Sequence, residues 1–503
     1  MNKKIVIIGA GISGLAAGWY ARMNGYSAEI YESHAIPGGL CTSWKKGEYT
    51  FDGCLHWLTG SSSADNFFLL WQELGAIQGS VIHNHEEFYR FTSQEGKTLI
   101  LYTNIDRLEK HLLEFSPADH EIIKKLCDLI RKFSKFKAPI DKAYELFNFF
   151  DIARMIWRMR SFMKDFKYCN SISIGEFAEG FKDNFLREVF PIALGSGEMS
   201  MLGFIVTMAL LNNNAGGYPK GGSLKFAKTI EKRFIDLGGK ILYGRKVAKI
   251  IVENGKACAI QLVKGEVISA DYVISSSDLH STIYNMLDAR FIEPQHEELF
   301  QKAELYPSSV QVSFGVNMNF SNEPDCVAWN YKLESPLIIG NQKNEWLMIR
   351  NYNFDETLAP KGKTIVECLL HIKDFDFWEA LYSDKPAYKS EKERIGRKVA
   401  EEIEKRYPGF TASIEEMDVA TPMTYVRYTG NYRGAYMTWI MTPRLMKEHQ
   451  IIKKSITGVQ NFWLAGMWTM APGGVPTAAK SSRDVIQLIC SKDKRKFRTI
   501  IPE

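Results

Sequence analysis

The stretch Ile5–Glu32, IVIIGAGISGLAAGWYARMNGYSAEIYE, constrains the fold more than any other part of this chain. Ile5–Ile8 is a short apolar run of the kind carried by a strand buried on both faces. It enters a G-x-G-x-x-G turn, Gly9 to Gly14, and a helix pattern follows from about Ser13 to Asn24, closed by Gly25. Ala28–Tyr31 reads as the next strand, and Glu32 stands at its end, where a carboxylate can accept hydrogen bonds from a ribose. Gly9 permits the tight turn, Gly11 lets backbone approach a pyrophosphate, and Gly14 lets helix and strand pack closely. The helix start offers free N–H groups and a positive dipole end to phosphates. A glycine-rich turn in an ordinary α/β core is the plainer alternative, and it leaves Glu32 without a purpose. In this context the motif predicts a dinucleotide site.

A chain of 503 residues fits about three units at roughly 150 residues per domain, or two interleaved ones. Its net charge of +5 is too small over this length to argue for nucleic acid. Eight cysteines lie scattered without a C-x-x-C pair or zinc spacing, so no metal site is expected and reduced thiols in a cytoplasmic protein are. Met1–Lys4 before an apolar run mimics a secretory leader, but that run is the nucleotide-binding strand itself. No apolar run approaches the ~20 residues of a spanning helix.

Pro37-Gly38-Gly39 supplies a Gly doublet where backbone can meet the same ligand again, and Trp44 with Tyr49–Phe51 predicts a hairpin. Residues 65–215 read as mainly helical, with Ser116-Pro117 opening a helix to about Phe136. Within them, 145–168 mixes Phe, Met and Trp with Arg154, Arg158, Arg160, Lys164 and Lys167. That pattern suits a surface helix dipping into a bilayer interface, or a cap helix whose apolar face packs inward. After Tyr218–Ser223 a helix runs to Gly238-Gly239, and short strands return through Tyr272–Ser275. Between about 300 and 440, Val310–Val316, Trp346–Asn351 and Thr364–His371 read as an antiparallel sheet beside one helix, Glu391–Arg406. Thr421–Trp439, dense in Tyr, Met and Thr, reads as a sheet face able to wall a substrate. Last comes Asn461–Ala479: a strand, a glycine-rich turn, and a second helix start with Pro476 in its first turn. Ser491–Arg498 is basic and reads as a solvated end. Gly195-Ser196-Gly197 lacks the third glycine of a second dinucleotide motif, so a separate NAD(P)H domain is not expected.

Two ligand-facing helix starts at opposite ends of the chain suit a flavin: one for the pyrophosphate of FAD, one under the pyrimidine edge of the ring system, where its dipole favours the anionic reduced form. With these motifs the sequence resembles the phytoene desaturase / carotenoid isomerase / retinol saturase family of FAD-dependent oxidoreductases, within the amine-oxidase-like flavoproteins. The likeness is carried by Val6–Glu32, PGG at 37–39, FDGCLHW at 51–57, YPKGGS at 218–223, VISSSD at 273–278, TPMTYVRYTGN at 421–431 and LAGMWTMAPGGVPTAA at 464–479. It implies an α/β fold: a Rossmann-like FAD-binding domain of glutathione-reductase-2 type (1–64, 216–290 and 450–490) interleaved with an α+β substrate domain. The latter would comprise a helical cap (65–215) and an antiparallel sheet (291–449), with 491–503 a tail. Gly9, Gly11, Ser13, Gly14, Glu32, Ser33, Gly38, Gly39 and Leu40 would hold the ADP half, Val247 would line the adenine, and Gly466, Met467, Gly474 and Val475 would lie by the flavin. Many relatives carry Arg after the Gly doublet where this chain has Leu40, which removes a charged pyrophosphate partner and leans away from the typical desaturase branch.

The resemblance implies redox or isomerising chemistry on C–C and C=C bonds of a hydrophobic polyene or lipid, in a cytoplasmic or membrane-associated protein. Proton-handling candidates are His56, Tyr218, Lys220, Arg427 and Tyr436. Two other classes compete: an amine-oxidase-like enzyme with a flavin-facing lysine and an aromatic cage, and a non-enzymatic prenyl carrier resembling Rab GDP-dissociation inhibitors. Nothing in the sequence speaks to oligomeric state.

Overall fold

The computed structural model describes residues 3–448 and 452–501. Its organising element is a five-stranded parallel sheet in the order Lys240–Leu242, Ser27–Tyr31, Lys4–Ile8, Tyr272–Ser275, Phe462–Leu464. The alternation of the first strand explains its two coats. Ile5 and Ile7 join a core shared with the helices Ile12–Met23, Gly222–Asp236 and Val475–Lys492. Val6 and Ile8 face the other way, onto a three-stranded antiparallel sheet, Val247–Glu253, Lys256–Leu262 and Val267–Ser269. A strand with apolar residues at every position is what burial on both faces requires.

A seven-stranded sheet forms the second centre, in the order Ile414–Ala420, Ser308–Val316, Thr364–Ile372, Gln342–Asn351, Cys326–Ile339, Glu87–Thr92, Thr98–Tyr102. Every residue of Ser308–Val316 is buried. Its Val310, Val312 and Phe314 pack with Val366, Cys368, Leu370 and Ile349 against Ile395, Val399 and Ile403 of the helix Lys385–Glu404. The opposite face of these strands is polar and turns toward the parallel sheet.

Residues 65–215 are mainly helical, as expected, but they also hold the hairpin Glu87–Thr92/Thr98–Tyr102, which completes the large sheet, its first strand running parallel to Cys326–Ile339. Two expectations need correcting. Residues 145–168 form two helices, Phe149–Met159 and Met163–Ser171, the first started by a reciprocal capping box of Asn148 and Asp151. Thr421–Trp439 is a helix, Pro422–Thr429, followed by a tight turn rather than a sheet face; Pro422 at its first position and Gly430 at φ 69° past its end account for that. The tail is exposed along most of its length, as expected, and is also anchored at two points. The last helix continues to Lys492, Asp493 accepts hydrogen bonds from Tyr26 and Tyr272, and Phe497 packs on Tyr20 with Arg483 over its ring. Among the described residues no helix is long and apolar enough to cross a membrane.

Candidate functional site

The turn after the first strand is built for a ligand to approach. Gly9 holds φ 93°, and a Cβ on Gly14 would lie 1.9 Å from the Gly9 carbonyl oxygen. A Cβ on Gly11 would meet nothing nearer than Gly38 O at 3.8 Å, which leaves open space beside the helix start. No side chain caps the helix at Gly11, and its first turn holds no acidic residue. Glu32 accepts hydrogen bonds from the amides of Ala10 (2.7 Å) and His34 (2.7 Å) and from Ser33 Oγ. Gly38 donates to Ala10 O and pairs with Gly11, so the Gly doublet lies against the first turn.

The second helix start repeats the design. Gly474 at φ 98° leads into Val475 with no side-chain cap and no acid in the first turn. Ser13 and Ser482 share a hydroxyl contact of 2.7 Å, and the Gly466 amide donates to Ser481, so the two uncapped helices are bolted together. Glycine-lined backbone, two unsatisfied helix starts and a ribose-height carboxylate fit a dinucleotide-linked flavin.

Near the second helix start a set of polar side chains gathers inside the molecule. His56, His371, Tyr425 and Tyr436 are deep in the molecule yet keep accessible surface, which marks an internal chamber between them. Its wall is the polar face of the large sheet, where Ser313, Glu367 and Arg350 align across three strands. Arg350 Nη1 donates to His56 Nε2 at 2.8 Å. Burial, then the Arg350 charge, hold His56 well below the usual histidine range and push His371 down to about 4. Tyr436 OH contacts His371 Nδ1 at 3.2 Å. Two residues on, Thr438 donates to Pro472 O beside the second helix start. Asp52 accepts from Tyr218 OH (2.6 Å) and the Ser223 amide (3.0 Å). Glu367 accepts from Tyr352 OH and Ser313 Oγ, and burial, then the charge of Asp52, raise it to about 8.

Of the five proton-handling candidates the structure brings His56, Tyr218 and Tyr436 to this network and leaves two outside. Arg427 is exposed on the helix Pro422–Thr429, beside Tyr428. Lys220 is half-buried; its amide pairs with Val81 O and its ammonium joins none of the cluster's hydrogen bonds. Asp52, Arg350, Glu367 and His371 escaped the sequence reading, although charged residues inside the apolar runs WLMIRN and TIVECLLHI were a signal for buried polar work.

Glu367 has a pH consequence. Its folded value lies above its unfolded one, so the native state holds a proton that the unfolded chain releases. Stability from this group therefore declines as pH rises from about 4.5 to about 8. Glu367→Gln should flatten that decline, by on the order of a few kcal/mol at pH 8. Thermal melts between pH 5 and 8 test it; parallel pH slopes for the two proteins would refute it.

Residues 12–490 match the model of a family described as flavin containing amine oxidoreductase. The chain belongs to that family. It is 25% identical to a chloroplastic prolycopene isomerase of Daucus carota, over 86% of this chain and 71% of that protein. It is 24% identical to a neurosporene-forming phytoene desaturase of Rhodobacter capsulatus, over 97% and 94%. Among solved structures it resembles cyclohexylamine oxidase from Brevibacterium oxydans with a TM-score of 0.61 at 13% identity, covering 98% and 100%, a likeness of fold. This member of the flavin-containing amine oxidoreductases is accordingly a flavin-dependent oxidoreductase.

Proposed function

We propose that the chain binds FAD and acts on C–C or C=C bonds of a hydrophobic polyene, by desaturation, saturation or isomerisation. The observation that carries this reading is the internal chamber near the second uncapped helix start, in a chain whose relatives include phytoene desaturases and prolycopene isomerases. The bound flavin would supply hydride exchange with carbon. Gly9, Gly11, Ser13, Gly14, Glu32, Ser33, Gly38, Gly39 and Leu40 would hold the ADP half, Val247 the adenine, and Gly466, Met467, Gly474 and Val475 the ring end. This makes the parallel-sheet unit (1–64, 216–290, 450–490) the cofactor domain, of glutathione-reductase-2 type. Residues 65–215 and 291–449 then form the substrate domain, knitted together by the 87–102 hairpin. Neutral His56 can take or return a proton, and Tyr436 with His371 closes the wall against water. The same chamber disfavours an amine: Arg350 is a buried cation, and a protonated amine beside it would be repelled.

Anaerobic photoreduction of the purified protein, followed by exposure to polyenes, quinones and oxygen, tests the reading. A polyene should change the redox state of the flavin or itself be isomerised, and amines should not bleach the oxidised protein. Bleaching by amines with every polyene inert would reverse the assignment.

We also read the helix Phe149–Met159 as a membrane-surface element through which an apolar substrate enters. None of its residues is buried, and Phe149, Phe150 and Trp157 are 78%, 75% and 64% exposed, among Arg154, Arg158 and Arg160. Such a surface matches an anionic bilayer interface. Changing Phe149, Phe150 and Trp157 together to Ser should weaken binding to vesicles containing anionic phospholipid by roughly tenfold or more. The melting temperature should stay put, because these exposed side chains add little packing. Unchanged vesicle binding would remove the assignment.

A further inference from the structure

Arg350 is 6% exposed, on the chamber wall, and its charge has no counterion. Among the described residues no carboxylate lies within ion-pair distance of it. Nη1 donates to a neutral imidazole, His56, and Nη2 to the sulfur of Met348 at 3.4 Å; Nε has no partner at all. A guanidinium carries five N–H donors in a planar fork, and here the oxygen it hydrogen-bonds is the neutral phenol of Tyr89, which brings no countercharge. The acid opposite it in the sheet, Glu367, does not answer the charge: burial keeps its proton on at neutral pH, and its oxygens are taken by Tyr352, Ser313 and the Asp52 amide. Burying a lone cation with poor acceptors is costly, and a chain bears that cost where an incoming group completes the pair. The fork matches a carboxylate, whose two oxygens accept parallel hydrogen bonds. Around it the wall turns apolar: Met348 and Leu369 stand beside it on the same sheet face, and Trp57 follows His56.

We propose that Arg350 binds the carboxylate end of an otherwise apolar, unsaturated substrate, a long-chain polyenoic acid or the acid end of a cleaved polyene, and so sets how far its carbon chain reaches toward the flavin. The proposal rests on the apolar-substrate reading above and narrows it from hydrocarbons to acids.

Equilibrium binding to the purified flavoprotein tests it, with the fluorescent C18 tetraene cis-parinaric acid, its methyl ester and the corresponding alcohol as probes. The acid should bind roughly 10- to 100-fold more tightly than ester or alcohol, as a charge-assisted pair at a buried site implies. Arg350→Met should abolish that preference by weakening the acid alone, and Arg350→Lys should keep part of it. Equal affinities of the wild-type protein for all three probes would overturn the proposal and leave the apolar-substrate reading standing; that arm needs no variant to fold. A uniform loss of all three in Arg350→Met, with the wild-type preference absent, would assign Arg350 to packing. Failure of every probe to bind would overturn both readings. Preference for the acid without any change in flavin redox state or probe geometry would uphold Arg350 and count against the proposed chemistry.

Discussion

Gly14→Ala should give a protein that purifies without flavin colour and melts several degrees below the wild type. The new Cβ would sit 1.9 Å from the Gly9 carbonyl oxygen and 2.7 Å from Ser276 Oγ. The first obstacle is backbone, so relief requires the helix to move off the strand, and overpacking of this kind costs roughly 1–3 kcal/mol or more. In the proposed site, moving the helix would also withdraw the N–H groups offered to the pyrophosphate, which is why cofactor loss should exceed what stability alone explains. Gly203→Ala is the control. It lies within the helix Met201–Asn212, its Cβ would meet only Met199 Cε at 3.5 Å, and alanine there should be neutral or stabilising by up to about 1 kcal/mol. The flavin-to-protein absorbance ratio and a thermal melt decide the matter. A Gly14→Ala protein with a full complement of flavin would show that the close approach is not what holds the site.

The second large effect is expected at Glu73. This buried carboxylate takes a two-pronged ion pair from Arg483 (2.8 and 3.1 Å) and a hydrogen bond from Tyr20 OH at 2.6 Å. Arg483 also donates to the Asp141 carbonyl. The first helix, the helical insert and the last helix thus meet at one ion pair. Glu73→Ala leaves the guanidinium buried without its counterion, and about 3–5 kcal/mol should be lost. Glu73→Leu combined with Arg483→Met should recover much of that loss, since an apolar pair of similar bulk carries no stranded charge. Urea titrations of the two variants and the wild type provide the comparison. A double variant as unstable as the single one would mean that the ion pair itself, and not the avoidance of a bare charge, is what the fold needs.

The cofactor end of the molecule was readable because its chemistry is local. Strand, turn, helix and Glu32 follow within one contiguous segment, and the close contact that Gly14 makes possible is with Gly9 of the same turn. The last strand and helix were legible for the same reason. The chamber was not, because its members converge only through the large sheet. Arg350 meets His56 across 294 positions of sequence, and Glu367 meets the Asp52 amide across 315. Neither pairing leaves a trace in spacing. The hairpin at 87–102 was overlooked because EFYRFT and TLILY sit between helical segments, and their partner strand at 326–339 lies far downstream. Arg427 stands two residues from Tyr425 in the same motif, but a helix turns successive residues by 100°, so Tyr425 reaches Ser309 inside while Arg427 faces water.

The order of strands in the parallel sheet carries a consequence for how the protein comes into being. Its central strand is made from the fourth to eighth residues, its outermost from 462–464, and the helix that closes the ligand site ends at Lys492. The glycine-rich turn therefore leaves the ribosome long before Phe462–Leu464 and Val475–Lys492, which become its neighbours. On the proposed assignment, loading of the cofactor then awaits the last helix, and a truncation before Val475 should lose flavin binding.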